Sequence, residues 1–252
     1  MTTTANKVAE VTLYFWIIKI CATTLGETAG DLLSMTMNVG YALSSVILIG
    51  LFLATLLAQL LSRKFHPALY WSVVLTTSTA GTTMSDYMDR TLGLGYATGS
   101  TILVTCLVLV LLAWRLTEKS LSVSNIQTTR AELFYWIAIL CSNTLGTALG
   151  DFLADDSGLG FMGGAMLIGA LIALVALASS VTRINRVMLF WIAFVLTRPF
   201  GATFGDLLTK PGDHGGLGFG TVGSSMILAT LLVAFVAHTS RIDHRISRET
   251  TA

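Results

Sequence analysis

Residues 16–31 read WIIKICATTLGETAGD, and the same interval, from a tryptophan to an aspartate, recurs three more times. It is bounded by Trp71 and Asp86, by Trp136 and Asp151, and by Trp191 and Asp206. Each copy opens on an aromatic cluster, crosses an apolar stretch, turns to small and hydroxylated residues, and ends on the acid. Five residues before the acid there is always a glycine: Gly26, Gly81, Gly146 and Gly201. Beyond the acid comes a glycine–aromatic pair, Gly40-Tyr41, Gly95-Tyr96 and Gly160-Phe161, and in the last copy Gly218-Phe219 after a three-residue insertion. An internal period of this length decides the architecture before any single element is considered.

Working outward, the 252 residues are 54% hydrophobic and 12% charged, with a mean hydropathy of +0.75. A soluble domain carries about 25% charge. Apolar runs such as 46–61 and 102–114 fit a polytopic membrane protein. The net charge of +1 gives no polybasic surface and no case for nucleic acid. The polar N-terminus leads into a repeat helix rather than a small-residue cleavage site, so no cleavable signal peptide is expected. Cys21, Cys106 and Cys141 are odd in number and lie in apolar helices, which reads as small core residues rather than a disulfide framework. His66, His214, His238 and His244 lie in links or near helix ends with no ligand spacing.

The four aspartates are 55, 65 and 55 residues apart, and the extra ten fall in a polar link. A two-helix hairpin duplicated twice accounts for this. The expectation is an all-α membrane protein of eight transmembrane helices, built from four parallel two-helix repeats. Residues 1–116 form the first half, 117–130 the link, and 131–252 the second half with a basic tail. Helix one is expected over about 11–33, and helix three from about residue 68. Two spans per unit start every repeat on the same side. Termini and inter-repeat links carry Lys7, Arg63, Lys64, Arg115, Lys119, Arg130, Arg183, Arg186, Arg241, Arg245 and Arg248, whereas the loops within hairpins carry only Arg90 and Lys210. Cytoplasmic loops are the basic ones, so both termini are expected in the cytoplasm. The aromatics beside each tryptophan then form a belt at the cytoplasmic interface.

Fifteen residues of helix rise about 22 Å, which puts the acids in the outer half of a bilayer about 30 Å thick. Glu27 lies one turn before Asp31, where the other copies have Thr82, Thr147 and Ala202, so repeat one offers two carboxylates. Ionisable groups at such depth usually face a cavity and mark an ion path. The plain alternative is that they end helices near the outer headgroups. Candidate cation ligands are Glu27, Asp31, Asp86, Asp151 and Asp206, with Asn143 and Thr24 as neutral oxygen donors. Arg198 can neutralise an acid of a neighbouring repeat, and Lys19 is expected to snorkel to the cytoplasm. Gly26, Gly30, Gly81, Gly146, Gly150, Gly201 and Gly205 read first as close-packing positions. They read second as points where a helix could unwind, with Pro199 favouring a break in helix seven.

The motif Y-F-W-I-x-K-I-x-A-T-T-L-G-E-T-A-G-D and the recurrent G-D and G-L-G-F/Y elements resemble a bacterial family of uncharacterised membrane-anchored proteins. That resemblance implies a multi-pass protein of the bacterial inner membrane and no defined activity. A shorter likeness links residues 27–31, ETAGD, to the E-x-G-D-K/R-T/S motif of calcium and manganese exchangers. Here an extra residue separates acid from Gly-Asp, Leu32 stands where the motif has a base, and the other copies lack the glutamate.

Hard cations take carboxylate, hydroxyl and carbonyl oxygens. The leading functional expectation is therefore a secondary transporter of a divalent cation such as manganese, coupled to protons through the acids. A proton-coupled carrier of a small anionic solute, held by Arg198, is the alternative, and a non-transporting scaffold the third. No catalytic or cofactor motif is present, so neither enzyme activity nor a resident cofactor is expected. The expected partners are lipid and a small ion or solute, with a homo-oligomer possible.

Overall fold

A computed structural model of the chain describes residues 7–62, 64–123, 126 and 128–251, with 242–251 described by backbone alone. Arg63, the first six residues of the polar N-terminus, and the side chains of Arg245 and Arg248 lie outside the described residues. The described residues form eight α-helices: α1 (Leu13–Asp31), α2 (Tyr41–Leu61), α3 (Pro67–Asp86), α4 (Tyr96–Glu118), α5 (Thr129–Asp151), α6 (Gly160–Val181), α7 (Arg186–Thr209) and α8 (Gly220–Thr251). The expected basic tail is thus the last part of a continuous α8.

Local chemistry sets the boundaries. Thr12, Thr128 and Asn185 cap α1, α5 and α7 by accepting backbone N–H groups of the first turn, and α3 starts on Pro67, where the missing N–H costs nothing. Three of the acids pass directly into a π-helical turn, over Leu32–Thr36, Tyr87–Thr91 and Phe152–Asp156. The first of these turns carries repeat one beyond the helix end expected near residue 33. The chain then reverses through glycines with positive φ, Gly40 at 80° and Gly95 at 72° among them, a conformation that penalises any side chain. In repeat four α7 runs to Thr209, and the inserted residues form a short 3₁₀ turn over Gly212–His214.

The odd helices form an inner ring in which α1 packs on α3, α3 on α5, α5 on α7 and α7 back on α1. Each even helix leans on the inner helix of the following repeat: α2 on α3, α4 on α5, α6 on α7, and α8 on α1. The last repeat is therefore joined to the first as each repeat is to the next. Six helices are long and apolar enough to cross a membrane: all four even ones, α7, and α5 with its π turn. The apolar windows of α5 and α7 are 67% and 61% buried, against 17–28% for the even helices, so the even helices form an apolar outer shell. The remaining two inner helices, α1 and α3, carry buried polar groups such as Lys19, Glu27 and the hydroxyls over 76–79.

Glycine makes the inner ring tight. A Cβ at Gly26 would collide with Ser78, one at Gly81 would lie 2.9 Å from the Thr144 nitrogen, one at Gly146 would collide with Arg198, and one at Gly201 would lie 2.7 Å from Thr23 Oγ1. The four positions are equivalent in the repeat, and each presses the next repeat around the ring. One turn later Gly30 faces Thr82, Gly150 faces Ala202 and Gly205 faces Glu27. These are small-residue contacts that bring backbones together. No helix unwinds at them, and α7 passes through Pro199 without a break, against the expected discontinuity.

Two further expectations need correction. Most of the aromatics expected in a belt at the cytoplasmic interface are buried instead, although Tyr14 is 42% exposed and Trp16, Phe134 and Phe190 are half-buried. Phe15, Tyr70, Trp71, Tyr135, Trp136 and Trp191 are buried against one another, and the Tyr70 and Tyr135 hydroxyls share a hydrogen bond of 2.6 Å. Inner helices that touch each other leave these rings no lipid to face. The three cysteines are free thiols, with Cys21 buried and Cys141 half-buried, but Cys106 is exposed on the outer helix α4.

Candidate functional site: a charged column inside the helix ring

Residues four apart share a helix face, and in this chain one such row points inward from every odd helix. Starting at the aromatic end, it runs Phe15, Lys19, Thr23, Glu27, Asp31 in α1 and Tyr70, Val74, Ser78, Thr82, Asp86 in α3. It continues as Tyr135, Ile139, Asn143, Thr147, Asp151 in α5 and Phe190, Phe194, Arg198, Ala202, Asp206 in α7. All of these except the half-buried Phe190 are buried. The rows stack layers of four equivalent positions, apolar and aromatic at one end and ionic at the other.

The Glu27 layer holds a buried ion pair. Arg198 Nη1 lies 2.8 Å from Glu27 Oε2, with the arginine side chain 0% and the glutamate 3% exposed. Arg198 Nη2 donates to Thr82 Oγ1 at 2.5 Å and to Thr147 Oγ1 at 2.7 Å. Thr82 and Thr147 also lie 3.2 and 3.3 Å from Glu27 Oε2. A charge so deep is costly without a partner, and the three other repeats supply Glu27 with one ion pair and two hydroxyls, while Arg198 Nε has no hydrogen-bond partner among the described residues. Arg198 of repeat four is thus paired with Glu27 of repeat one.

The aspartate layer is closed by two cations from just beyond the acids. Arg90 bridges two repeats, Nε to Asp86 Oδ1 at 3.0 Å and Nη2 to Asp151 Oδ2 at 2.9 Å. Lys210 does the same for the other two, Nζ to Asp206 Oδ1 at 3.1 Å and to Asp31 Oδ2 at 2.8 Å. Each cation stands four residues after its own aspartate, where repeats one and three have Met35 and Asp155. Reading the sequence placed Arg90 and Lys210 in the loops and missed this. The available signal was the i, i+4 spacing to an acid, repeated at the same place in both halves. Burial opposes the Lys210 ammonium, but the carboxylates of Asp206 and Asp31 outweigh it and hold its pKa well above the ordinary lysine value. The cations are partly exposed, Arg90 at 33% and Lys210 at 23%, above acids that are 3–5% exposed, so they cover the column from the hairpin side.

Glu27, Asp31 and Asp206 each bring a carboxylate oxygen within 4.8 Å of the other two, the spacing at which three hard ligands can share one ion. Of the five acids expected to act together, these three form the tight group, and Asp86 and Asp151 pair instead across Arg90. Asn143 donates to Thr77 Oγ1 at 3.0 Å and Thr24 to the Ile20 carbonyl at 2.9 Å, so neither neutral ligand is directed at the three carboxylates. Lys19 does not snorkel: it is 0% exposed, with Nζ 4.1 Å from the centre of the Phe194 ring. An apolar groove of about 630 Å³ lies between α1, α6 and α7, lined by Trp16, Ile172 and Phe190 among others.

Four two-helix units closed into a ring, with six helices able by length and composition to cross a membrane, define an internally repeated all-helical protein with a charged axis. The chain belongs to the family of a repeat of unknown function (DUF347), which matches residues 14–65, 69–120, 134–185 and 189–244. Those matches begin 55, 65 and 55 residues apart, the same period as the four aspartates. The match is to this repeat and lends no support to the likeness with cation exchangers. Neither the curated proteins nor the solved structures give a match.

Proposed function

We propose that this is a secondary transporter of the bacterial inner membrane that exchanges a divalent cation of the manganese type for protons. In this reading all eight helices span the bilayer, with α1 and α3 sheltered from lipid by the outer shell. The basic links and both termini face the cytoplasm, and the aspartate layer faces outward.

The observation that carries the proposal is Lys210. Its ammonium already stands between Asp31 and Asp206, and Glu27 completes a three-carboxylate group around the same space. A tethered monovalent cation at the end of a helix is an occupant that a soluble cation can displace. A divalent ion has twice the charge and takes carboxylate oxygens at about 2.0–2.6 Å, closer than an ammonium approaches. By formal charge the Glu27 and aspartate layers hold five acids, Glu27 and the four aspartates, against Arg90, Arg198 and Lys210, with Lys19 apart in a layer nearer the aromatic end. The two negative charges left over are what one divalent ion or two protons neutralise, the balance that an exchanger needs. An anionic solute, in contrast, would find the Arg198 guanidinium already taken by Glu27.

The test is manganese flux into proteoliposomes, with internal pH recorded and sidedness read by impermeant labelling of a cysteine at Asp156. The wild type should move Mn²⁺ inward or outward against protons. Asp31→Asn should reduce that flux at least tenfold while the protein stays folded, and Asp156→Asn, in the exposed hairpin, should leave it unchanged. A wild type that moves no divalent cation, or an Asp31→Asn variant as fast as wild type, hands the site to the scaffold reading.

A further inference from the structure

Lys19 has no part in the cation site, yet it occupies the same axis. Its side chain is fully buried, and Nζ has no hydrogen-bond acceptor among the described residues. Its one polar engagement is with the face of Phe194, 4.1 Å from the ring centre. The equivalent positions in the other repeats are Val74, Ile139 and Phe194, all buried, so this layer packs well without any charge. Lysine there is a departure that packing does not require, and an ammonium stripped of water with no anion beside it is costly.

The surroundings of Lys19 are specific. One turn further along the column lie Thr23, Ser78, Asn143 and Arg198, and in that layer Ser78 Oγ and Asn143 Oδ1 also lack partners. Thr23 Oγ1 donates to the Lys19 carbonyl at 3.0 Å. One turn the other way lie Phe15, Phe190 and the hydrogen-bonded Tyr70 and Tyr135 hydroxyls. No carboxylate stands in these layers. The next titratable groups are Arg198 toward the acids, with Glu27 beyond it, and the two tyrosines toward the aromatic end.

We propose that Lys19 carries the coupling proton between the acid layers and the cytoplasm. This rests on the exchange reading above. A protonated carboxyl of the column gives up its proton toward the Lys19 amine, leaving a carboxylate and an ammonium. The ammonium then releases that proton to cytoplasmic water and returns to the amine. Only O–H and N–H bonds form and break, and Arg198 keeps its charge throughout. A lysine suits this step because its amine can lose a proton when buried, which a guanidinium does not.

The experiment compares wild type, Lys19→Met and Lys19→Arg in the same proteoliposomes, reading Mn²⁺ flux and the proton flux of opposite direction together, with Mn²⁺-dependent thermal stabilisation as a separate measure of binding. Lys19→Met keeps the stem and removes the proton, and Lys19→Gln replaces it if the methionine variant does not fold. The expected result is that Lys19→Met and Lys19→Arg both retain stabilisation by Mn²⁺ to within about twofold in concentration. Both should lose proton-coupled exchange by at least tenfold, with loss of its dependence on internal pH. If wild type exchanges Mn²⁺ for protons and Lys19→Met or Lys19→Gln does so at the same ratio and rate, Lys19 carries no proton and the exchange reading survives. If wild type moves no Mn²⁺, both fall.

Discussion

Gly201 shows how much rests on one absent side chain. It lies where the fourth repeat meets the first, and a Cβ there would come 2.9 Å from the Thr23 carbonyl carbon as well as 2.7 Å from its hydroxyl. Backbone cannot yield as a flexible side chain can, so Gly201→Val should force the ring apart. Overpacking a well-filled interior costs about 1–3 kcal/mol, and the helix-to-helix contact puts this site at the upper end. The expected outcome is a clear drop in Tm in detergent, whereas Gly223→Val, with open space around it on α8, should be nearly silent. Equal effects at the two positions would show that the close approach is not what the glycine serves. The packing role of the glycines was legible in the sequence, because the same spacing recurred in four copies. The partners of the charges were not. Lys19 looked like a residue one turn from the surface, but ring closure places Phe194 over it, and no one-dimensional pattern shows that α7 lies beside α1. Arg90 and Lys210 looked like loop residues because depth was judged along the helix axis alone, and the π turns that fold Arg90 back onto its acid were not foreseen.

At the scale of elements, the distinction between odd and even helices comes from which surface each must cover. The even helices present large apolar side chains outward, Val46 at 68%, Leu109 at 60%, Met166 at 67% and Val233 at 68% exposure, and touch the ring with small or hydroxylated residues such as Ser44, Gly99, Gly164 and Ser224. The odd helices bury the face turned to the ring axis, while Leu13, Ile137 and Met188 keep other faces partly open, and the buried face can hold polar rows that an apolar surrounding would reject. This division could be read in outline from hydropathy, since the even helices have the longest unbroken apolar runs. Which even helix covers which odd one could not, because chain order suggests that a hairpin packs on itself, whereas α2, α4 and α6 each pack on the next repeat. Pro199 belongs at this scale too. It lies inside an uninterrupted α7, at the place of Thr24, Thr79 and Thr144 in the other repeats. A proline in a helix interior costs about 3 kcal/mol through a lost hydrogen bond and ring crowding. If α7 needs no hinge there, Pro199→Thr should raise Tm without reducing cation flux. A fall in flux with the fold preserved would instead make Pro199 a moving part.

For the whole molecule, the period of the aspartates foretold four parallel units, and the family match has the same spacing. What the period left open was closure, whether four units make an open row or a ring. The answer lies in contacts more than 170 residues apart in sequence, such as Lys210 on Asp31 and Thr23 on the Thr197 carbonyl. An open row would leave α1 and α7 each with a bare polar face, which the closed ring buries.

A closed ring has no structural first or last unit. The junction of the fourth repeat with the first is built like the others, since α8 covers α1 just as α2 covers α3. Circular permutation should therefore be tolerated. A chain opened in the polar link after α4, with its original ends joined by a flexible linker, would begin at α5 and finish at α4, yet could form every inter-repeat contact described above. Such a permutant should insert, purify as a monodisperse species and retain a Tm within a few degrees of the parent. One opened inside a hairpin, between Asp86 and Arg90, should not, because that cut separates an acid from the cation that covers the column. Failure of both permutants alike would mean that the order of insertion into the bilayer, rather than the closed ring, governs how this chain assembles.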